Sequence, residues 1–109
     1  MIFKKGKLLR IFIGESNRFN GHPLYRHILE EAKKENLSGV TVLRGLEGFG
    51  THKQMHSAKI LSISQDLPII VEIIDEESNI LSFAKMISPT IKEGLLTLED
   101  IEVAYCRVD

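Results

Sequence analysis

The chain has no tryptophan and a single cysteine, Cys106, among 109 residues, so no internal disulfide can brace it and its fold must rest on apolar packing. Long apolar runs are missing too. No stretch approaches the roughly 20 residues that span a bilayer. The run after the lysine-bearing start, residues 8–13, is broken by Arg10 and is too short for a signal-peptide core. These features predict a cytoplasmic protein. Nor is there an excess of one charge: 14 basic residues stand against 15 acidic ones, a net charge of -1, which gives no attraction to nucleic acid or membrane. What is present is a 43% hydrophobic, 27% charged composition, that of one globular domain covering residues 1–109.

Residues 8–13 are strand formers that end at Gly14 and predict the first strand. From Pro23 onward, Leu24, Ile28 and Ala32 recur every four residues, with charged Glu30, Glu31, Lys33 and Lys34 on the other side, which predicts an amphipathic helix. Pro23 suits its first turn, and Asn36 and Gly39 are its stop signals. Residues 40–46 and 67–74 predict the second and third strands. Between them, residues 48–57 read as an exposed loop and residues 58–64 as a short strand or arm. A second helix begins after the cap residue Asp75 and carries Ile80, Phe83, Ala84, Ile87 and Ile91 at helical spacing, with Pro89 shortening or bending its end. Residues 101–108 alternate and predict the last strand, with Cys106 as a small apolar residue in it.

The order is βαββαβ, the α+β ferredoxin-like sandwich: a four-stranded antiparallel sheet with both helices on one face. Along the first strand Leu8 and Phe12 oppose Leu9, Ile11 and Ile13; along the third, Ile70 and Ile74 oppose Ile69, Val71 and Ile73. Both sheet faces are therefore apolar, and two helices cover only one. The second face is expected to be buried by other copies of the chain.

The run Gly39-Val40-Thr41-Val42 and the Gly48-Phe49-Gly50 after it, with the strand and helix beyond residue 67, resemble the PII nitrogen-regulatory proteins. Gly14-Glu15-Ser16, Gly21-His22-Pro23-Leu24-Tyr25, Arg44-Gly45 and Asp66-Leu67-Pro68 are similar to a PII-like branch of small bacterial and archaeal proteins, a UPF family without assigned function. The resemblance implies a homotrimeric signalling protein with ligand clefts between subunits and a regulatory loop after strand two. It implies a small anionic ligand, such as an adenine nucleotide, and a membrane transporter as a partner. It places Gly39 and Thr41 near the adenine, Gly48 and Gly50 at the loop base, and Lys53 on a phosphate. It leaves the cofactor unknown. Where PII proteins carry a phosphate loop rich in glycine and lysine, residues 92–100 hold one glycine and end in Glu99 and Asp100. Those carboxylates would repel a triphosphate, which favours a different anionic or adenine-containing effector over ATP.

Other readings of single residues stand beside this one. Gly48 and Gly50 frame a ligand or simply allow the turn out of strand two. Arg44 and Arg18 could each grip an anion through a planar guanidinium, or form surface ion pairs. His52 and His56 are four apart and would share a face on a helix, but they fall in a loop with no third ligand fixed. A divalent-metal-binding trimer of the cation-tolerance type is the alternative they support. Glu15 could act as a base in a small enzyme or pair with Arg18. No Ser-His-Asp set, carboxylate pair or P-loop is present, and the chain is read as a non-enzyme. Strands one and three offer only Phe12 for base stacking, which argues against RNA binding.

Overall fold

The computed structural model describes residues 1–49, 56–57 and 66–106 of the protein. Four long strands, β1 (Lys4–Gly14), β2 (Gly39–Arg44), β3 (Pro68–Asp75) and β4 (Leu95–Val103), form one antiparallel sheet in the order β2-β3-β1-β4. Helices α1 (Leu24–Lys34) and α2 (Glu77–Ile87) complete the βαββαβ order. The sheet lies against them through Leu9, Ile11 and Ile13 of β1 and Ile69, Val71 and Ile73 of β3. These residues pack on Leu24, Ile28 and Ala32 of α1 and Ile80, Phe83 and Ile87 of α2, all buried. Burying each of the larger of these side chains is worth about 1.5–3 kcal/mol, so this one layer is the core.

The terminators act through identifiable chemistry. Asn36 adopts a positive φ of 56°, and the Leu37 amide reaches the Ala32 carbonyl at 3.1 Å while the Asn36 amide reaches that of Lys33 at 3.0 Å. This is a Schellman stop for α1, with Leu37 packed on the core. Gly39, the other expected stop, is already the first residue of β2. Replacing Asn36 by alanine, which disfavours that φ, is expected to lower stability by about 1 kcal/mol. Asn36→Gly should hold or raise it, as chemical denaturation would show. At the other helix, α2 ends at Ile87 and Pro89 sits in a 3-10 turn, Ser88–Thr90. The segment before α1, expected as loop, holds a small hairpin in which Arg18–Phe19 pairs with His22–Pro23. Its turn is Asn20-Gly21, both at positive φ, as a two-residue hairpin turn requires.

Two boundaries differ from expectation. The first strand starts four residues earlier, at Lys4, and pairs with β4 from Lys4↔Val103 to Phe12↔Leu95. The last strand therefore spans Leu95–Val103, not residues 101–108. Cys106 lies beyond it, exposed and outside any strand, and residues 107–109 are outside the described residues. The acidic end of segment 92–100 is likewise no loop. Glu99 bonds Arg10 and Asp100 bonds Lys7 across the β1–β4 ladder. The strand was hard to read because its sequence, Leu-Leu-Thr-Leu-Glu-Asp, does not alternate. It is an edge strand whose Leu96 and Leu98, on the helix side, remain exposed.

Side chains on the sheet face away from the helices fall into rows across the strands. One row is apolar throughout: Leu43, Ile70, Phe12 and Leu95, aligned by the pairs Leu43↔Ile70, Phe12↔Ile70 and Phe12↔Leu95. The next is polar: Thr41, Glu72, Arg10 and Thr97. Arg10 donates to Glu72 at 2.8 Å and also binds Glu99. The hydrogen bond to Glu72 leads in raising the Arg10 pKa above its ordinary value, and within the row the guanidinium is matched by the Glu72 carboxylate.

Candidate functional site

The C-terminal end of β1, the start of β3, the end of β2 and the start of β4 meet at one end of the sheet, which follows from the antiparallel registers. A cleft of about 170 Å³ opens there. Phe12, Pro68 and Leu95 supply apolar wall, Gly48 and Phe49 come from the chain leaving β2, and Glu93 and Gly94 from the turn before β4. Asn17 and Asp66 add polar groups.

Local chemistry fixes these walls. The Asp66 carboxylate accepts from the Ser16 amide at 2.9 Å, tying the chain after β1 to the entry of β3. Glu15 reinforces this: its amide donates to the Leu67 carbonyl at 2.8 Å. The Asn17 side chain donates to the Glu93 carbonyl at 3.2 Å and so holds the turn before β4 against the turn after β1. On the β2 side, the Gly45 amide donates to the Pro68 carbonyl at 2.7 Å. A Cβ at Gly48 would stand 3.0 Å from the Pro68 ring. Gly48 is thus glycine because the chain folds closely over Pro68, whatever else it contacts. Beyond it, Glu47–Gly48 pairs with His56–Ser57 as a narrow ribbon, in a segment expected to be open loop.

The predicted site residues separate in space. Gly48 is in the cleft wall. Arg44 is at the same end of the sheet, 60% exposed, with its guanidinium on the Glu15 carboxylate, whose side chain is 16% exposed. Glu15 is therefore paired with Arg44, where the sequence suggested Arg18. The other Glu15 oxygen, Oε1, is buried with no hydrogen-bond partner among the described residues. Thr41 is exposed in the polar row beside Glu72. Gly39 opens β2 opposite Ile74, five residues and roughly 17 Å of extended strand from Arg44. Gly50, Lys53 and His52 are outside the described residues, and of His56 only the backbone is described. Among the described residues no three His, Cys, Asp or Glu side chains converge as metal ligands. His27 stacks on Phe19 with ring centroids 4.4 Å apart.

Residue-by-residue reading passed over Phe12, Asn17, Pro68 and Glu93 as site residues. Their signal was partial: Asp66-Leu67-Pro68 stood out as a string, with no role attached to it.

A family model spanning residues 6–103, DUF190, described as an uncharacterized ACR, matches nearly the whole chain. The chain belongs to the DUF190 family. A UPF0166 protein from Aquifex aeolicus is 46% identical to this DUF190 protein over 101 residues, 93% of this chain and 95% of that one. Among solved structures, CPII from Thiomonas intermedia K12 is a nitrogen regulatory PII-like protein bound to ADP, AMP and bicarbonate. It matches the DUF190 chain with a TM-score of 0.72 at 17% identity, covering 94% of this chain and 91% of that one. A putative PII-like signaling protein from Thermus thermophilus, TTHA0516, matches with a TM-score of 0.68 at 20% identity, covering 94% and 93%. At these identities the likeness establishes the PII-like, ferredoxin-like fold of this DUF190 protein. No described helix is long and apolar enough to cross a membrane.

Proposed function

We propose that this DUF190 protein is a PII-like regulator that senses an adenine nucleotide or another small anion and acts on a partner through the loop after β2. The observation that carries the reading is the position of the cleft. It joins the base of that loop, at Gly48 and Phe49, to the turn before β4, at Glu93 and Gly94. A ligand seated there touches the root of the loop, and a preference for one loop state over another would shift its population. CPII, of the same fold, was captured with ADP, AMP and bicarbonate. The apolar row on the uncovered sheet face supports assembly with other copies of the chain, since such a face is rare on a soluble monomer, and the resemblance to PII proteins makes that assembly a homotrimer. A cleft of about 170 Å³ is below the roughly 300–1,000 Å³ of a complete small-molecule site, which supports a ligand shared between subunits. Glu99 and Asp100 are engaged by Arg10 and Lys7 on the sheet, but Glu93 and Asp66 line the cleft itself, so the charge argument against a triphosphate passes to these two carboxylates and favours an effector of lower charge than ATP. The proposed ligand contacts are Gly48 in the cleft wall and Arg44 at the same end of the sheet, Gly50 and Lys53 in the segment after it, and Gly39 and Thr41 reaching the ligand from a neighbouring subunit. A cytoplasmic location and a membrane-transporter partner complete the reading, with no catalytic step assigned.

Calorimetric titration with ADP, AMP, ATP and bicarbonate, alone and in pairs, tests it. Saturable binding of at least one adenine nucleotide is expected, weakened at least fivefold in Arg44→Ala if Arg44 holds the anion. Absence of any nucleotide binding by the wild-type protein would sink the nucleotide reading, and a sedimenting monomer at all concentrations would sink the trimer.

A further inference from the structure

The Arg44 guanidinium already has a partner on the side of the sheet that the helices cover. Arg44 pairs with Ile69 across the β2–β3 ladder, and Ile69 is buried in the layer beneath the helices. Residues opposite each other on a ladder share a face, so Arg44 leaves the sheet on the helix side, where the Glu15 carboxylate holds it. It is not among the residues that line the cleft. Resting on the function proposed above, in which an anionic ligand occupies the cleft and Arg44 contacts it, we infer that Glu15 restrains Arg44 from the ligand. The guanidinium is exchanged between the Glu15 carboxylate and the oxyanion of the ligand, and Glu15 thereby lowers the affinity of the protein for that anion.

Three features of the pair permit the exchange. The Arg44 side chain is mostly exposed while that of Glu15 is mostly buried, so an incoming anion reaches the guanidinium from solvent. The pair joins one nitrogen, Nη2, to one oxygen, Oε2. A phosphate or bicarbonate presents two oxygens to the same fork, the two-pronged arrangement that makes guanidinium contacts strong. Backbone bonds, finally, hold both chains in place when the side chains part: the Glu15 amide donates to the Leu67 carbonyl and the Gly45 amide to that of Pro68. The cleft has a use for the released cation, since its described lining includes Asp66 and Glu93 but no lysine or arginine.

The direction of the effect follows from what the exchange does to Glu15. Its Oε1 is buried with no hydrogen-bond partner among the described residues, and departure of Arg44 takes the partner of Oε2 as well. A mostly buried carboxylate stripped of its counter-charge is costly, so the free protein keeps Arg44 on Glu15. Where the binding-competent arrangement is only a fraction of the population, the apparent affinity falls by that fraction. Glu15→Gln keeps the shape of the side chain and removes the charge that holds Arg44, which raises the competent fraction.

Calorimetric titration of the full chain with ADP tests this in four proteins: wild type, Glu15→Gln, Arg44→Ala and the double variant. Glu15→Gln is expected to bind ADP more tightly than wild type by a factor of about 5 or more, the lower end of ordinary coupling factors. Arg44→Ala should bind more weakly than wild type, and adding Glu15→Gln to it should change nothing, because the restraint then has nothing to hold. Damage to the fold lowers affinity, so a gain is a readout that a merely structural role for Glu15 does not produce. Glu15→Ala, which removes both carboxylate oxygens, should show the gain even if the glutamine oxygen still accepts from Arg44. Affinities of Glu15→Gln and Glu15→Ala equal to or below wild type overturn the restraint. A gain of the same size with and without Arg44 also overturns it, since Glu15 then acts on the ligand as a bare charge. An Arg44→Ala protein that binds ADP as tightly as wild type overturns it by removing Arg44 as a contact, with nucleotide binding itself left standing. A wild type that binds no adenine nucleotide removes the proposed function instead, a result distinct from the other three.

Discussion

Asp75→Ala is expected to destabilise the protein by about 3 kcal/mol, the scale for stripping a buried charged acceptor from several donors. Asp75 ends β3 with 4% of its surface exposed. Its Oδ1 accepts from the Glu76 amide at 2.6 Å and from the Asn79 side chain at 3.0 Å. Its Oδ2 accepts from the Ser38 amide at 2.8 Å and the Ser38 hydroxyl at 3.1 Å. Tyr105 extends the network by donating to the Ser38 hydroxyl at 3.2 Å. One carboxylate thus fastens the turn before β2, the start of α2 and the chain after β4. In sequence Asp75 looked like the cap of α2. The cap position is Glu76, which makes no side-chain cap bond, and Asp75 serves the helix from one residue earlier. Urea denaturation of Asp75→Ala should show the loss as a lower midpoint with an unchanged slope. Asp75→Asn, which keeps the shape but places a donor among donors, should recover only part of it.

The same residue sets an acid limb of stability. Burial pushes its pKa up, but the hydrogen bonds from Asn79, the Glu76 amide and Ser38 outweigh burial, and the net pKa lies below the ordinary 3.8. A carboxyl depressed in the folded state contributes stability that is complete above its unfolded pKa and is lost as pH falls through the folded one. The wild type should therefore lose stability on acidification below about pH 5, the region where an ordinary carboxyl begins to titrate. Asp75→Ala should lose less over the same range. Parallel acid profiles for the two proteins would refute the assignment.

How far the sequence spoke for the structure varied with the kind of signal. Leu9, Ile11 and Ile13, or Leu24, Ile28 and Ala32, repeat with the period of their element, and both faces of β1 and β3 came out as the alternation implied. Signals that depend on a distant partner were not legible. The β4 strand is defined by its ladder with β1 and by the anchoring of Glu99 and Asp100 on Arg10 and Lys7, 89 and 93 residues away. Nothing in Leu-Leu-Thr-Leu-Glu-Asp announces those partners, and its acids looked like loop chemistry. The Asn20-Gly21 hairpin was legible from its dipeptide and was passed over because the flanking strands are two residues each. For the candidate site, the glycines drew attention to the exit from β2, and Gly48 does line the cleft. Phe12, Pro68 and Glu93 come from three separate parts of the chain and become neighbours only when the four strand ends are aligned.

That alignment is most sensitive at Gly94, where replacement by alanine is expected to cost about 2 kcal/mol, the scale for forcing extra volume into a close-packed place. A Cβ built there would stand 2.6 Å from the Phe12 carbonyl oxygen, with Ile13 and Ile91 methyl carbons at 3.1 and 3.2 Å. The nearest atom is backbone of the central strand β1, so no side-chain rotation relieves the contact. Either β4 shifts at Leu95 or β1 bows at Phe12, and both residues are in the cleft wall. Gly94→Ala should therefore lower the urea midpoint and weaken ADP binding together. Gly39→Ala is the matched comparison: a Cβ at Gly39 meets nothing within 4 Å, so its stability should stay within about 0.5 kcal/mol of wild type, as for a surface change free of special features. If Gly94→Ala were as stable as Gly39→Ala, the close approach of β4 to β1 would be wrong, and with it the wall that Leu95 gives the cleft. If Gly39→Ala kept its stability and lost ADP, Gly39 would act through the ligand from a neighbouring subunit, since within its own subunit it lies along β2 away from the cleft.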